Sequence, residues 1–196
     1  MLTARHPRLI LASASPRRAE ILRQAGFSFV TRPTRLDESL RRGESPAHHV
    51  VRLAREKALA CAKRVSAPAL ILGADTVVVL GRQILGKPSS PRDAGRMLRL
   101  LSGKTHRVLT GIALLHLPAP HGRARLVSAV ESTRVTFAPL SAQEIAAYVS
   151  SREPMGKAGA YAIQGRAGKF VTRIEGCYFN VVGLPLARFY RLLRPL

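Results

Sequence analysis

The stretch Arg8-Leu9-Ile10-Leu11-Ala12-Ser13-Ala14-Ser15-Pro16-Arg17-Arg18 decides how the chain is read. A compact apolar run is followed at once by a helix-start signal, Ser15 then Pro16, and an amphipathic segment to Ala25 that Gly26 closes. Proline at the first helical position lacks only an N–H that would be unpaired anyway, and a preceding serine can accept from the free amides. A strand leading directly into a helix predicts an α/β fold. It also gathers two hydroxyls, open backbone N–H groups, the positive helix end and two guanidiniums in one place. That is either an anion cradle or an ordinary capped helix with solvated arginines.

Working outward, Phe27 to Thr31 alternates and reads as a strand, and residues 32 to 44 form a polar surface loop. Asp37-Glu38 in that loop is the one adjacent pair of carboxylates. Ser45-Pro46 starts a second helix, predicted to reach about Val65, with an apolar stripe at Val50, Leu53, Ala54, Ala58 and Cys61. Lys57 falls on this stripe, where a lysine either snorkels to the rim or aims into a cleft. Ala69 to Leu80 is the most buried-looking run and carries Asp75 inside it. A buried carboxylate is costly alone, so Asp75 needs a cation, backbone donors, a metal or an open cleft.

Gln83 to Pro88 returns as a short strand ending near Lys87, and Ser90-Pro91 opens a third helix that Gly103 stops. Long strands are expected over Thr105–Leu117 and residues 123 to 139, joined through residues 118 to 122. A capping box, Ser141 with Glu144, opens a helix to about Ser151. Residues 156 to 169 are Gly-rich and include Lys157, Gln164 and Arg166, a composition suited to close backbone approach to a polar ligand or to a solvated loop. The chain is then expected to close with a strand near Tyr178–Val182 and a helix from about Leu184 to Leu193.

Composition bounds the function. The formal net charge is +21, carried by 26 Arg and 6 Lys. The arginines are spread along the whole chain, unlike a nucleic-acid-binding tract, though so positive a field attracts polyanions of any kind. Only eleven carboxylates are present, three of them Asp (Asp37, Asp75, Asp93), so acid-dependent chemistry has few candidates. Cys61 and Cys177 read as free thiols of a reducing compartment. No apolar run approaches the length of a membrane span, and the one near the N-terminus is too short for a signal peptide. Gly103-Lys-Thr105 lacks the earlier glycine of a P-loop, and Gly165-Arg-Ala-Gly168 lacks the two helices of a KH module. The residues themselves describe a phosphate-handling α/β enzyme.

Seven ordered blocks add a resemblance. Leu9 to Arg18, Arg55-Glu-Lys-Ala58, Gly73-Ala-Asp-Thr76, Gly86-Lys-Pro88, Ser102-Gly-Lys-Thr-His106, Gly159 to Gly165 and Val181-Val-Gly-Leu-Pro185 resemble the Maf family of nucleoside triphosphate pyrophosphatases. The resemblance implies one domain over residues 1–196 with a Maf/inosine-triphosphatase-like fold: an elongated mixed sheet flanked by helices, with two lobes around a central cleft. It implies hydrolysis of a nucleoside triphosphate to the monophosphate and pyrophosphate with a divalent metal, Mg²⁺ or Mn²⁺. Asp75 would be the proton acceptor, Glu38 would assist, and both would hold the metal. Ser13, Arg18, Lys57, Lys87 and Lys157 would bind the triphosphate.

Arg17, Thr76 and Gln164 match the branch similar to dTTP/UTP pyrophosphatases rather than the branch acting on 7-methyl-GTP, so they would choose a pyrimidine base. Gly86 stands where relatives often carry Glu, which removes one polar group beside Lys87. The resemblance further implies a homodimer, and the short N-terminal run, the lack of a spanning stretch and the free thiols lead to the expectation of a cytoplasmic protein. The competing expectation is a basic nucleic-acid-binding or cell-division regulatory protein similar to septum formation inhibitors.

Overall fold

The computed structural model describes residues 7–66, 68–118 and 123–195. Seven strands form a mixed sheet in the order β2-β1-β3-β5-β6-β7, with β4 paired to β3. These are β1 (Arg8–Leu11), β2 (Phe29–Thr31), β3 (Ala69–Leu80), β4 (Gln83–Leu85), β5 (Thr105–Leu117), β6 (Arg125–Phe137) and β7 (Val171–Glu175). The helices are α1 (Pro16–Gln24), α2 (Pro46–Ala62), α3 (Pro91–Leu101), α4 (Ala142–Ser150), α5 (Tyr178–Val182) and α6 (Leu186–Leu193). The mixed α/β class expected from the sequence is what the chain adopts. The chain divides into two compact units: Met1–Asp75 with Thr110–Glu131 and Gly183–Leu196, and Thr76–Leu109 with Ser132–Val182.

In the first unit β1 pairs in parallel with β2 and with β3, Leu9 standing opposite Phe29 on one side and Leu70 on the other. Parallel neighbours cannot be joined by a tight turn, so each crossover carries a helix: α1 between β1 and β2, α2 between β2 and β3. The buried stripe of α2 is His49, Val50, Leu53, Ala54, Lys57, Ala58 and Cys61. Its Ala54, Ala58 and Cys61 pack with Ile10, Ala12, Ile71, Ala113 and Leu115 into one core. Two glycines set how close α2 lies. A Cβ on Gly73 would stand 2.0 Å from the Ala54 carbonyl oxygen, and one on Gly111 would stand 2.3 Å from that of Val50. The backbone of α2 therefore rests directly on β3 and β5, and Lys57 is carried to the strand that bears Asp75.

In the second unit β4 returns antiparallel to β3 through Gly81, whose φ of 58° suits glycine. The core joins Leu85, Leu98, Leu101, Val135 and Phe137 with Tyr148, Tyr161 and Phe170. The Gly-rich stretch is ordered rather than loose: it forms 3₁₀ turns at Ala158–Ala160 and Arg166–Phe170. Glu153 ties it down, accepting from the Tyr148 hydroxyl at 2.9 Å and from the Arg166 amide at 3.2 Å.

Two expectations are corrected. Tyr178–Val182 is the helix α5 and not a strand, although its aromatic and β-branched residues favour strands. The Thr133 hydroxyl overrides that preference: it donates to the Cys177 carbonyl and accepts from the Cys177 amide, both at 3.0 Å. The Asn180 side-chain amide then donates to Thr133 Oγ1 at 3.0 Å and to the Val108 carbonyl at 2.9 Å. Tertiary bonds thus wind the segment between Gly176 and Gly183, both at φ 123°. The second correction is smaller: α2 ends at Ala62 rather than near Val65. Within the expected connection at residues 118 to 122, positions 119–122 lie outside the described residues.

Gly73→Ala should lower unfolding free energy by about 3 kcal/mol or more, because the new Cβ meets helix backbone that cannot rotate away. Gly86→Ala, where a Cβ meets nothing within 4 Å, should change it by no more than about 1 kcal/mol. Denaturant melts of the two variants check this, and equal effects would contradict the close approach.

Candidate functional site

Lys57 is the centre of the charged cluster in the first unit. Its ammonium stands 2.7 Å from Asp75 Oδ1 and 2.6 Å from Glu38 Oε1. Two carboxylates far apart in sequence therefore converge on one nitrogen. Lys57 and Asp75 are nearly dry, at 8% and 11% side-chain exposure, whereas Glu38 is 39% exposed. The cluster thus has a buried end on β3 and a wet end on the loop. Lysine at this place neither snorkels nor stands alone. It offsets the charge of a carboxylate that the sheet would otherwise bury unpaired.

The opening stretch builds the neighbouring wall. Arg18 is buried on α1, and its guanidinium donates to Ser13 Oγ at 2.8 Å, to the Gly183 carbonyl at 2.8 Å and to the Ala74 carbonyl at 3.0 Å. The Ala74 bond ties the arginine to the residue before Asp75. Burial lowers the Arg18 guanidinium from its ordinary value, and the Asp75 charge pulls it back up; arginine nevertheless stays charged. Ser15 occupies the N-cap of α1 but its side chain makes no capping bond. Ser13 Oγ accepts from the Ser15 amide instead, at 3.2 Å. Ser45 and Ser90 do cap α2 and α3 through their hydroxyls.

The pair Asp37-Glu38 divides its work. Asp37 turns back on Ser39, accepting from its amide and its hydroxyl at 2.9 Å each, and the backbone bond chiefly holds its carboxyl below the usual range. Glu38 alone reaches Lys57. Ser13, Arg18, Lys57, Asp75 and Glu38 are thus brought together within the first unit, and Arg17 is half-buried on the first turn of α1.

Thr76, Lys87, Lys157 and Gln164 belong to the second unit. There the Gly159 amide donates to the Gly86 carbonyl at 3.0 Å, which places the turn after Lys157 beside the segment that carries Lys87. The Lys157 ammonium donates to the Glu153 carbonyl. Lys87 and Gln164 are exposed and Thr76 is half-buried on β3. Sequence reasoning missed two partners: the Gly183 carbonyl, inside a motif quoted for other reasons, and Arg52, which lies off the buried stripe of α2 and grips the Glu38 loop.

A family match gives these residues their setting. Residues 8–196 match the family described as "Maf-like protein". The chain belongs to the Maf family. Among its relatives, a "dTTP/UTP pyrophosphatase" of Koribacter versatilis (strain Ellin345) is 50% identical over 186 residues, covering 95% of this chain and 93% of that one. Proteins of the same description from Salmonella typhimurium and Vibrio cholerae are 50% and 49% identical, each covering at least 94% of this chain and 91% of the relative. A solved "Nucleoside-triphosphatase / dITP/XTP pyrophosphatase" from Mycobacterium abscessus is 16% identical, with a TM-score of 0.39 over 68% of this chain and 75% of that one.

Among the described residues no helix is long and apolar enough to cross a membrane, and no group of three or more His, Cys, Asp or Glu residues is placed to hold a metal ion.

One Maf motif residue, His106, serves the fold. Its Nε2 lies 2.8 Å from the Tyr161 hydroxyl and its ring packs edge-on against Phe137 and Tyr161. Burial pushes the imidazole down to about 4, so it is neutral in the folded protein at neutral pH. The unfolded chain, with an ordinary value near 6.5, binds a proton first as pH falls. The contribution is therefore whole above about pH 6.5 and is lost as pH drops toward 4. Between pH 7.5 and 5 the wild type should lose about 2 kcal/mol more stability than His106→Gln. Denaturant melts at both pH values check this, and equal losses in the two proteins would contradict it.

Proposed function

We propose that the protein is a dTTP/UTP pyrophosphatase that converts a pyrimidine nucleoside triphosphate and water to the nucleoside monophosphate and pyrophosphate. The observation that carries the reading is the convergence of Asp75 and Glu38 on Lys57 at 2.7 and 2.6 Å, in a chain about half identical to relatives of that description along nearly its whole length. The family match runs through both units, which supports treating residues 1–196 as one Maf-like domain. A cytoplasmic homodimer is part of the same reading, and the two free cysteines suit a reducing compartment.

Asp75 acts as the proton acceptor. One of its oxygens is committed to Lys57, which orients the carboxylate, and the other takes the proton of the attacking water. Glu38, at the wet end of the cluster, orients that water and shares the cation site. The donor set fits a divalent metal: two hard carboxylate oxygens already converge on one cation, and Mg²⁺ commonly takes one or two carboxylates with substrate phosphates and waters. Asp75 and Glu38 are the residues that would hold Mg²⁺ or Mn²⁺, which would offset phosphate charge and lower the pKa of water.

Ser13 and Arg18 line the phosphate side of α1, where the helix N-terminus favours anions. Lys57 offsets the charge of the triphosphate, and Lys87 and Lys157 supply further phosphate contacts. Arg17, Thr76 and Gln164 select the base, a neutral amide and hydroxyl matching the carbonyl and N–H of a pyrimidine.

Incubation with dTTP or UTP and Mg²⁺ should give the monophosphate and pyrophosphate in equal amounts. Asp75→Asn should lower kcat by about 10²- to 10⁴-fold while the thermal transition persists. Release of orthophosphate, or turnover of the variant near wild type, would overturn the reading.

A further inference from the structure

Between β2 and α2 the chain runs from residue 32 to residue 45 without helix or strand. No backbone ladder decides where Glu38 stands. Side-chain bonds to α2 do so, and Arg52 is their hub. Its Nε meets Glu44 Oε1 at 2.6 Å and its Nη2 meets Glu44 Oε2 at 2.8 Å, a two-pronged pairing. Nη1 donates to Glu56 Oε2 at 3.1 Å, and Nη2 also donates to the carbonyl of Ser39 at 3.0 Å. Ser39 is the residue that follows Glu38.

The rest of the network closes around this fork. Glu44 Oε2 accepts from the Arg41 amide at 3.2 Å and lies 3.0 Å from His49 Nδ1, and Arg41 Nη2 returns to Glu56 Oε1 at 2.8 Å. Arg52 and Glu44 are only 13% and 9% exposed, so their pairing is far less screened than a surface ion pair. The Arg52 fork holds the Glu44 carboxyl well below the usual carboxylate range.

We infer that Arg52, locked by Glu44, is a positioning residue for the acid pair: it pins the backbone beside Glu38 to α2, while Lys57, five positions along the same helix, receives the Glu38 carboxylate. Helix α2 thereby grips the loop at two points, one on the chain and one on the side chain. A lysine at position 52 could not replace this hold, because one ammonium cannot serve both Glu44 oxygens, Glu56 and the Ser39 carbonyl in fixed directions. The inference rests on the reading above, in which Glu38 takes part in hydrolysis.

The test compares the wild type with Arg52→Gln, Arg52→Lys, Glu38→Gln and Arg52→Gln/Glu38→Gln, in dTTP hydrolysis with Mg²⁺ and in limited trypsin digestion. Arg52→Gln should lower kcat by about 10- to 100-fold with KM nearly unchanged, and Arg52→Lys should not restore it. In the Glu38→Gln background the same substitution should change kcat by no more than about twofold, because the group it positions is gone. Trypsin should cut after Arg35, Arg41 or Arg42 much faster in Arg52→Gln than in the wild type.

Losses that multiply in the double variant, a change in KM alone, or unchanged loop cleavage would each overturn the inference. Unchanged kcat in Glu38→Gln would overturn it together with the role of Glu38. If the wild type releases no pyrophosphate from dTTP or UTP, the functional reading fails by itself. The digestion then decides about Arg52, equal cleavage overturning the anchor.

Discussion

An ammonium group between two carboxylates is the constraint on which the first unit depends. Asp75 lies on β3, flanked by β1 and β5 in the sheet order, where an unpaired negative charge would cost several kcal/mol. Lys57 removes that cost at 2.7 Å and reaches out to Glu38 at 2.6 Å. For the lysine to arrive there, α2 must lie on the sheet backbone to backbone, and Gly73 and Gly111 permit it. The same helix then offers its outer face, through Arg52 and Glu56, to the loop that brings Glu38 back. Sheet, helix and loop are thus related through one cation.

The arrangement also shows how so acid-poor a chain brings two carboxylates to one point. With eleven carboxylates against 32 Lys and Arg, the surrounding field favours ionised carboxylates and anionic ligands alike. Two of the few acids are concentrated at one point, balanced by one lysine and walled by Arg18. Arg18 spends its guanidinium on Ser13 and on two main-chain carbonyls. It therefore orders the turn before α1 as well as adding charge.

Much of this was legible in the sequence because it rests on periodicity and on the cost of burying charge. The α2 stripe marked Lys57 as inward-facing, and the apolar run around Asp75 showed that this carboxylate needed a partner. Neither signal could pair the two, since the contact depends on two glycines whose role appears only when helix and sheet meet. Spacing alone left Asp37 and Glu38 equivalent, and the resemblance chose Glu38; the bonds from Ser39 to Asp37 separate the two in the structure. Tyr178–Val182 misled because local propensity favoured a strand, whereas Thr133 and Asn180 bond the segment from residues distant in sequence. Arg52 carried no signal at all. A polar residue off the buried stripe looks solvated until the loop folds over it.

Lys57 holds Asp75 and Glu38 at once, and NMR of the lysine ammonium reads that pairing. In protein labelled with ¹⁵N and ¹³C, scalar couplings across hydrogen bonds should connect Lys57 Nζ to the carboxyl carbons of both Asp75 and Glu38. Both correlations are expected, with the Glu38 correlation weakened in Arg52→Gln. A Lys57 ammonium coupled to neither carboxylate, exchanging as fast as a surface lysine, would contradict it.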